Sequence, residues 1–357
     1  MAPQRCIDVV LGGGEDILKK RHLIITLFIT IGAFYYTFKN ITIVELLHAL
    51  SSIHFLSLIP AIFIIILSYL FRAIRWRYLV APLKSSIKTS NLFSPLMVGF
   101  MGNLLPARAG EFIRAYLLGK KEGLSFSSSF ATVFVERLFD LLVLMFIMTG
   151  LLIFRSDIFL SAGSFRDVAV INILHKFGLI TLALSVGIIL FSYLLIYCRE
   201  KILYIVRFII KPLPDRFSYN LIEFINSFVE GLNILKDIRS LFFIILFSII
   251  VWACMITTYY PFYVAFQFNG LPYISILVLM VVIGVLITIL PTPGFLGSYQ
   301  AACVIGLHEI YKVTEVDAIN FGIITWFIQT GVVFALGLFF IMRENISFKE
   351  LMKSSSQ

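Results

Sequence analysis

The sequence predicts an all-α polytopic membrane protein with about eight membrane-embedded helices. Two of them are broken by proline and glycine into re-entrant or discontinuous segments, and the whole forms an inverted pseudo-repeat. Three observations predict this. Of 357 residues, 60% are apolar and only 14% charged, with a mean hydropathy of +0.98. Soluble globular chains carry ~45–50% apolar residues, and a compact soluble fold of this composition would lack the polar surface to cover itself. Apolar runs recur at lengths near the ~20 residues that cross ~30 Å of hydrocarbon. Each half of the chain holds one run interrupted by Pro and Gly. A soluble enzyme is excluded, and one integral-membrane domain covers 1–357, its first half about 1–155 and its second about 168–342.

The Gly12-Gly13-Gly14 run precedes any helix and follows no complete strand, so it reads as a tail rather than a phosphate loop. Leu23 to Phe38 follows Lys19-Lys20-Arg21 but ends in aromatics with no small-residue cleavage site, which makes it a retained span rather than a secretory signal. Further spans are Phe55 to Phe71, Ala131 to Phe154, Ile171 to Tyr197, Leu241 to Phe266, Tyr273 to Leu290 and Val316 to Met342. Two runs are interrupted: Leu92 to Leu118 at Pro106 and Gly110, and Thr292 to Ile310 at Pro293, Gly294 and Gly297. Four separated cysteines without a CxxC pair indicate neither a zinc site nor a disulfide framework.

Lys and Arg in short loops set orientation. The basic N-terminal flank and the loop from Arg72 to Ser90, with Arg72, Arg75, Arg77, Lys84 and Lys88, are placed in the cytoplasm. There the five cations attract anionic lipid at ~1 kcal/mol each, and Trp76 and Tyr78 fit an aromatic belt. The balanced connector Arg155 to Asp167 and the uncharged Gln267 to Pro272 suit the outer side. Residues 198–240 return to the cytoplasm as amphipathic helices that cover the spans or lie on the membrane, with partner docking as the minority reading. If the C-terminal flank is also inside, the broken segment after Pro293 must itself cross.

Both breaks, Leu105-Pro106 to Gly110 and Pro291 to Gly297, free backbone groups that hydrocarbon tolerates only when protein or a wet cavity surrounds them. Paired breaks of this kind point to a transporter binding site; two ordinary proline kinks are the alternative. Charge adds to the first reading. Arg108, Glu111 and Arg114 follow one another at i, i+3, while Glu136, Arg137 and Asp140 interrupt an apolar span. Each charge facing lipid costs ~2.5–3.5 kcal/mol, so the set should face protein or water, or snorkel to the nearby cytoplasmic interface. In the former case Glu136 or Asp140 orients a basic side chain, Arg108 or Arg114, and the guanidinium offers a bidentate fork to phosphate. Ser298 and Gln300 supply polarity in the second half. The expected occupant is an anionic lipid head group with its chains left in lipid.

The runs Arg72-Ala-Ile-Arg75-Trp76-Arg77, Gly102-Asn103-Leu-Leu-Pro106-Ala-Arg108-Ala-Gly110-Glu111, Glu136-Arg137-Leu-Phe-Asp140 and Pro291-Thr-Pro293-Gly294-Phe-Leu-Gly297-Ser298-Tyr-Gln300 occur in this order. Together they resemble the lysylphosphatidylglycerol synthase transmembrane, or flippase-like, family. The resemblance implies a flippase-like domain in a prokaryotic plasma membrane, and the basic flank places the N-terminus in the cytoplasm. It implicates Asn103, Arg108, Glu111, Arg114, Glu136, Arg137 and Asp140, with Pro293, Gly294 and Gly297 shaping the second break. Two departures stand out. Phe295 occupies a usual glycine position and Gln300 a usual acid, which removes the basis for coupling through that acid. No aminoacyl-transferase stretch follows Gln357, so synthesis of a lysyl-lipid is not expected of this chain.

The function expected is translocation of an anionic phospholipid or polyprenyl-phosphate-linked lipid between leaflets. Asn103, Arg108 and Arg114 would bind phosphate, without enzymatic activity, metal, cofactor or nucleic-acid partner. The alternatives are an accessory subunit bound to lipid-synthesis enzymes and a polyprenyl-phosphate-dependent transferase; no DxD or DDxxD metal pair supports the transferase. His308 beside Glu309 reads as a solvated interface residue.

Overall fold

A computed structural model of the protein describes residues 53–104, 109–160, 215–290 and 292–346, with scattered positions between 164 and 206. The expected first span, the glycine run, Pro106, Arg108 and Pro291 lie outside the described residues. A 3₁₀ turn, Phe55–Ser57, leads into α1 (Leu58–Val80). Then come α2 (Thr89–Gly102), α3 (Gly110–Glu122), α4 (Phe126–Phe154) and the short α5 (Ser156–Leu160). The fold is all-helical as expected, and the one extended feature among the described residues is a minimal antiparallel pair in the first connector, β1 (Ser164–Phe165) with β2 (Val168–Ala169). The second half brings α6 (Asp215–Leu232), α7 (Ile238–Ala265), α8 (Ile274–Ile289), α9 (Ser298–Cys303) with a π-helical turn Val304–Glu309, and α10 (Glu315–Arg343).

Among the described residues four helices are long and apolar enough to cross a membrane: Phe55–Val80, Phe126–Phe154, Ile238–Ala265 and Glu315–Arg343. The starts of the last three are fixed by side-chain caps. Ser125 Oγ accepts from Ser128 N at 3.1 Å, Asp237 from Arg239 N and Ser240 N, and Thr314 Oγ1 from Asp317 N. Phe63, Phe146, Phe154 and Phe327 leave large apolar faces exposed, as lipid-facing helices require.

The described helices between α1 and α4 and between α7 and α10 are shorter than the four long ones. The 14 residues of α2 cover about 21 Å and the 16 of α8 about 24 Å. The expected span Tyr273 to Leu290 corresponds to α8, a shorter apolar helix that forms one arm of a hairpin. Helices α2 and α3 also form an antiparallel hairpin. At its open end Asn91 Nδ2 donates to Glu122 Oε1 at 2.8 Å. Near its tip the backbones touch, since a Cβ on Gly99 would sit 2.8 Å from the Gly110 carbonyl oxygen, and one on Gly110 would strike Gly99 O. In the second hairpin α9 and the π turn fold back on α8, where a Cβ on Gly306 would lie 3.5 Å from Leu279 Cα. The described elements thus repeat one order, long helix, hairpin, long helix: α1, α2–α3, α4 and then α7, α8–α9, α10.

The hairpins meet at their tips. Gly294 lies against Leu104, with the Cβ position 3.6 Å from Leu104 Cδ2, and α10 crosses α2 where Gly337 faces Met101. The amphipathic α6 packs on α4. Val229 and Leu232 are buried in one core with Trp76, Leu79 and Val133, and Gly231 abuts Ala131. This agrees with the covering role expected of that segment.

Candidate functional site

The site grows from three helices that carry charge into an apolar interior. Helix α4 starts at Phe126, earlier than hydropathy indicates, which puts Glu136 about 15 Å into the helix. It does not snorkel: Glu136 is fully buried. Helix α1 runs past Phe71 to Val80, so Arg72 and Arg75 stand inside the helix and are buried, while Arg77 alone of the three is exposed. This corrects the reading of Arg72 and Arg75 as loop cations on a membrane surface. Ala73, Ile74, Leu79 and Val80 continue the apolar pattern beyond the arginines and were the signal for the longer helix.

Arg75 is the centre. Its guanidinium forks onto Asp140, at 2.7 Å to Oδ1 and 3.3 Å to Oδ2, reaches Glu136 Oε1 at 3.0 Å, and donates to Ser248 Oγ of α7 at 3.1 Å. Glu136 also accepts from Arg114 of α3 and, at 2.9 Å, from Arg137. Arg137 bridges to Asp140 at 3.4 Å, as the i, i+3 spacing anticipates, and to Glu111 at 3.7 Å. Arg72 lies 3.7 Å from Asp140, donates to Met255 Sδ and sits over the Phe100 ring. The expected repulsion between Glu136 and Asp140 is relieved because Arg75 and Arg137 lie between them.

Trp76 is fully buried rather than in an aromatic belt. Its Nε1 donates to Thr132 Oγ1 at 3.0 Å and its ring carries the Arg114 guanidinium 3.7 Å above the centroid. Tyr78 stacks on Phe243 of α7. Of the sequence-predicted charges, Glu111, Arg114, Glu136, Arg137 and Asp140 come together, joined by Arg72 and Arg75, which sequence reasoning placed elsewhere. Four arginines against three carboxylates leave one positive charge in excess among the described residues.

A crevice of about 10 Å³, room for one water, opens between the hairpin arms, lined by Gly99, Asn103, Gly110, Glu111, Arg114 and Arg137. Three polar atoms there, Asn103 Oδ1, Arg114 Nε and Arg137 Nε, find no hydrogen-bond partner among the described residues. The crevice offers two guanidinium donors but is closed to a group the size of phosphate.

The second tip is built without charge. The Pro293–Phe295 turn holds Gly294 at φ 58° and Phe295 at φ 62°, and Gly297 has φ 86°. Ser298 Oγ bonds Thr292 Oγ1 and the Phe295 carbonyl, Gln300 Oε1 accepts from Gly297 N at 2.7 Å, and Trp326 Nε1 donates to Gly294 O at 2.7 Å. Ser298 and Gln300 thus hold the break together. Tyr299 links to Tyr259 and Gln329, both at 3.0 Å. His308 is half-buried and its Nδ1 donates to Val313 O at 2.7 Å, a structural tie in place of the solvated ring expected. No group of three metal-ligating side chains occurs among the described residues.

The family described as lysylphosphatidylglycerol synthase TM region matches residues 23–337. The chain is 24% identical over 319 residues to the glycosyltransferase AglD of Haloferax volcanii, covering 82% of this chain and 50% of that protein. It therefore spans about half the length of that relative. It is 29% identical over 289 residues to a UPF0104 membrane protein of Methanothermobacter thermautotrophicus, covering 75% of this chain and 78% of the relative. A UPF0104 membrane protein of Methanocaldococcus jannaschii, MJ1078, is 43% identical over 61 residues, 16% of this chain and 26% of that protein. No solved structure matches.

Proposed function

From the premise that this chain belongs to the lysylphosphatidylglycerol synthase TM region family, we propose that it is a lipid translocator. It carries an anionic phospholipid or polyprenyl-phosphate-linked lipid between leaflets, its head group passing the tips of two helical hairpins. The observation that carries this reading is the buried network around Arg75 and Glu136, with its excess positive charge, beside a point where both tips touch. Burying so many charges is costly, and replacing such pairs by apolar groups often stabilises a fold; a role toward an anion accounts for their retention.

The repeated order of elements supports an inverted arrangement. With the basic flank at the cytoplasm, α1 descends to that side, the first hairpin re-enters from it and α4 rises. In the second half α7 rises, the second hairpin re-enters from outside and α10 descends, which returns the C-terminal flank to the cytoplasm. The broken segment then makes its return within the hairpin instead of crossing alone.

In the mechanism, Glu136 and Asp140 hold the arginines in fixed orientation. Asn103 at the first tip and Arg114 present donors to the phosphate, Arg108 is assigned to the same role from the sequence alone, and Arg72, least engaged by carboxylates, completes the cationic wall. The one-water crevice and the Leu104–Gly294 contact describe a closed state, so passage requires the tips to part. A second reading, a membrane module of glycosyl transfer on a polyprenyl-phosphate carrier, draws on the relative named a glycosyltransferase.

Proteoliposomes with head-group-labelled phosphatidylglycerol and a membrane-impermeant quencher test the first reading. Wild-type protein should expose the inner-leaflet label, and Arg108→Ala should abolish transfer while the protein stays monodisperse. Asp140→Asn should weaken binding of anionic but not zwitterionic lipid. Absent wild-type transfer of both phosphatidylglycerol and a polyprenyl-phosphate lipid overturns translocation; unchanged transfer in Arg108→Ala removes that residue from the site.

A further inference from the structure

Away from the charged network, the turn between α7 and α8 closes around a cavity of about 160 Å³. This is below the ~300–1,000 Å³ of sites for drug-sized ligands and fits a single small ring. Its walls are Tyr260, Tyr263 and Phe268 from the end of α7 and the turn, and Tyr273 at the start of α8, with Asn269 at the rim. Tyr260 and Tyr273 stand 5.8 Å apart at an interplanar angle of 31° and are both exposed. Tyr263 is buried, its hydroxyl accepts from Ser275 Oγ at 3.2 Å, and its ring meets Phe268 edge-on. One wall is therefore rigid and the other open.

The chemistry of this cup is aromatic and neutral. No Asp, Glu, Lys or Arg occurs from Ser240 to Leu307, and no charged residue lines the cavity. A cationic ammonium held by cation–π attraction would have no counter-charge there, and a phosphate would have no cation. We infer that the cup is a carbohydrate subsite that takes one neutral pyranose ring, the apolar C–H face stacked on Tyr260 or Tyr273 and the hydroxyls hydrogen-bonded by the Asn269 amide and the backbone of the turn. Interfacial tyrosines commonly form belts, but a belt does not require rings from two helices and a turn to enclose a volume. The inference stands on this geometry alone and does not depend on lipid translocation.

The test is saturation-transfer NMR on the full-length protein, purified in a detergent without a sugar head group. The probes are methyl glucopyranoside, methyl mannopyranoside and methyl galactopyranoside, with tetramethylammonium as the cationic comparison. Transfer to the ring C–H protons of at least one pyranoside is expected, falling about tenfold in Tyr260→Ala and in Tyr273→Ala. Tyr204→Ala, an exposed tyrosine elsewhere, should leave it unchanged. Both cup residues are exposed, so their removal should not unfold the protein, which gel filtration checks. Absence of transfer at tens of millimolar pyranoside overturns the subsite. So does transfer unchanged in both variants, or binding of tetramethylammonium alone.

Discussion

The two hairpins solve one architectural problem with opposite chemistry. In the first, Gly99, Gly102 and Gly110 let α2 and α3 touch, and the surroundings hold Arg72, Arg75, Arg114 and Arg137 against Glu111, Glu136 and Asp140. In the second, Gly306 lets the π turn touch α8, and the polar work falls to Thr292, Ser298, Tyr259, Tyr299 and Gln329. Neutral hydroxyls and amides suffice to hold a broken segment. Charge around the first hairpin is therefore more than architecture needs, and its desolvation cost has to be explained by what the hairpin meets.

The contrast breaks most sharply at Arg75. Arg75→Met leaves Glu136 and Asp140 buried with fewer partners, and a loss of about 3–5 kcal/mol is expected, read by denaturation in mixed micelles. Tyr299→Phe in the second hairpin removes neutral hydrogen bonds worth about 1 kcal/mol each. Equal losses for the two variants would mean that the network is not the more demanding of the two designs. Next come the close approaches. Gly110→Ala drives a methyl group into Gly99 O and to 2.7 Å from Asn103 N, overpacking that should cost about 1–3 kcal/mol. Gly297→Ala should cost about 1–2 kcal/mol through its left-handed φ of 86°. Gly331→Ala, with nothing within 4 Å of the added group, is the neutral comparison. Gly337 does not serve as one, because a Cβ there would lie 2.7 Å from Met101 Cβ.

Much of this was legible in the sequence. Four of the long apolar runs match the four long apolar helices described, because hydrocarbon demands length, and the Pro/Gly breaks fell where α3 begins at Gly110 and where the turn around Gly294 lies. Glu136 and Asp140 were legible as buried because charge inside an apolar run has few places to go. Arg75 was not, for a physical reason: at the end of an apolar run a cation reads equally well as an interfacial anchor, and only the partner on another helix, Asp140, distinguishes the two. Pairing of α8 with α9 was hidden for a related reason, since its 16 apolar residues look like a short span until Gly306 is seen against Leu279.

The smallest effect sits at the open ends of the hairpins and sharpens the same comparison. At the first, Lys84 Nζ donates to Glu122 Oε2 at 2.7 Å and Asn91 to Oε1. Burial alone would raise the Glu122 carboxyl, but the hydrogen bonds from Lys84 and Asn91 and the charges of Lys84 and Lys121 outweigh it and hold the group below its ordinary range. A depressed carboxyl contributes stability above its unfolded value, and that contribution disappears as pH falls through the folded value. Because Lys84 is partly exposed, the contribution is about 0.5–1 kcal/mol. Glu122→Gln should therefore lower the melting temperature slightly at neutral pH and converge with wild type in acid. The second hairpin is held at its break by a neutral amide, Gln300 Oε1 accepting from Gly297 N, so Gln300→Ala should lower stability by a similar amount at neutral and acid pH. A Glu122→Gln difference that persists unchanged into acid would show that the carboxylate's charge is not what fastens the first hairpin.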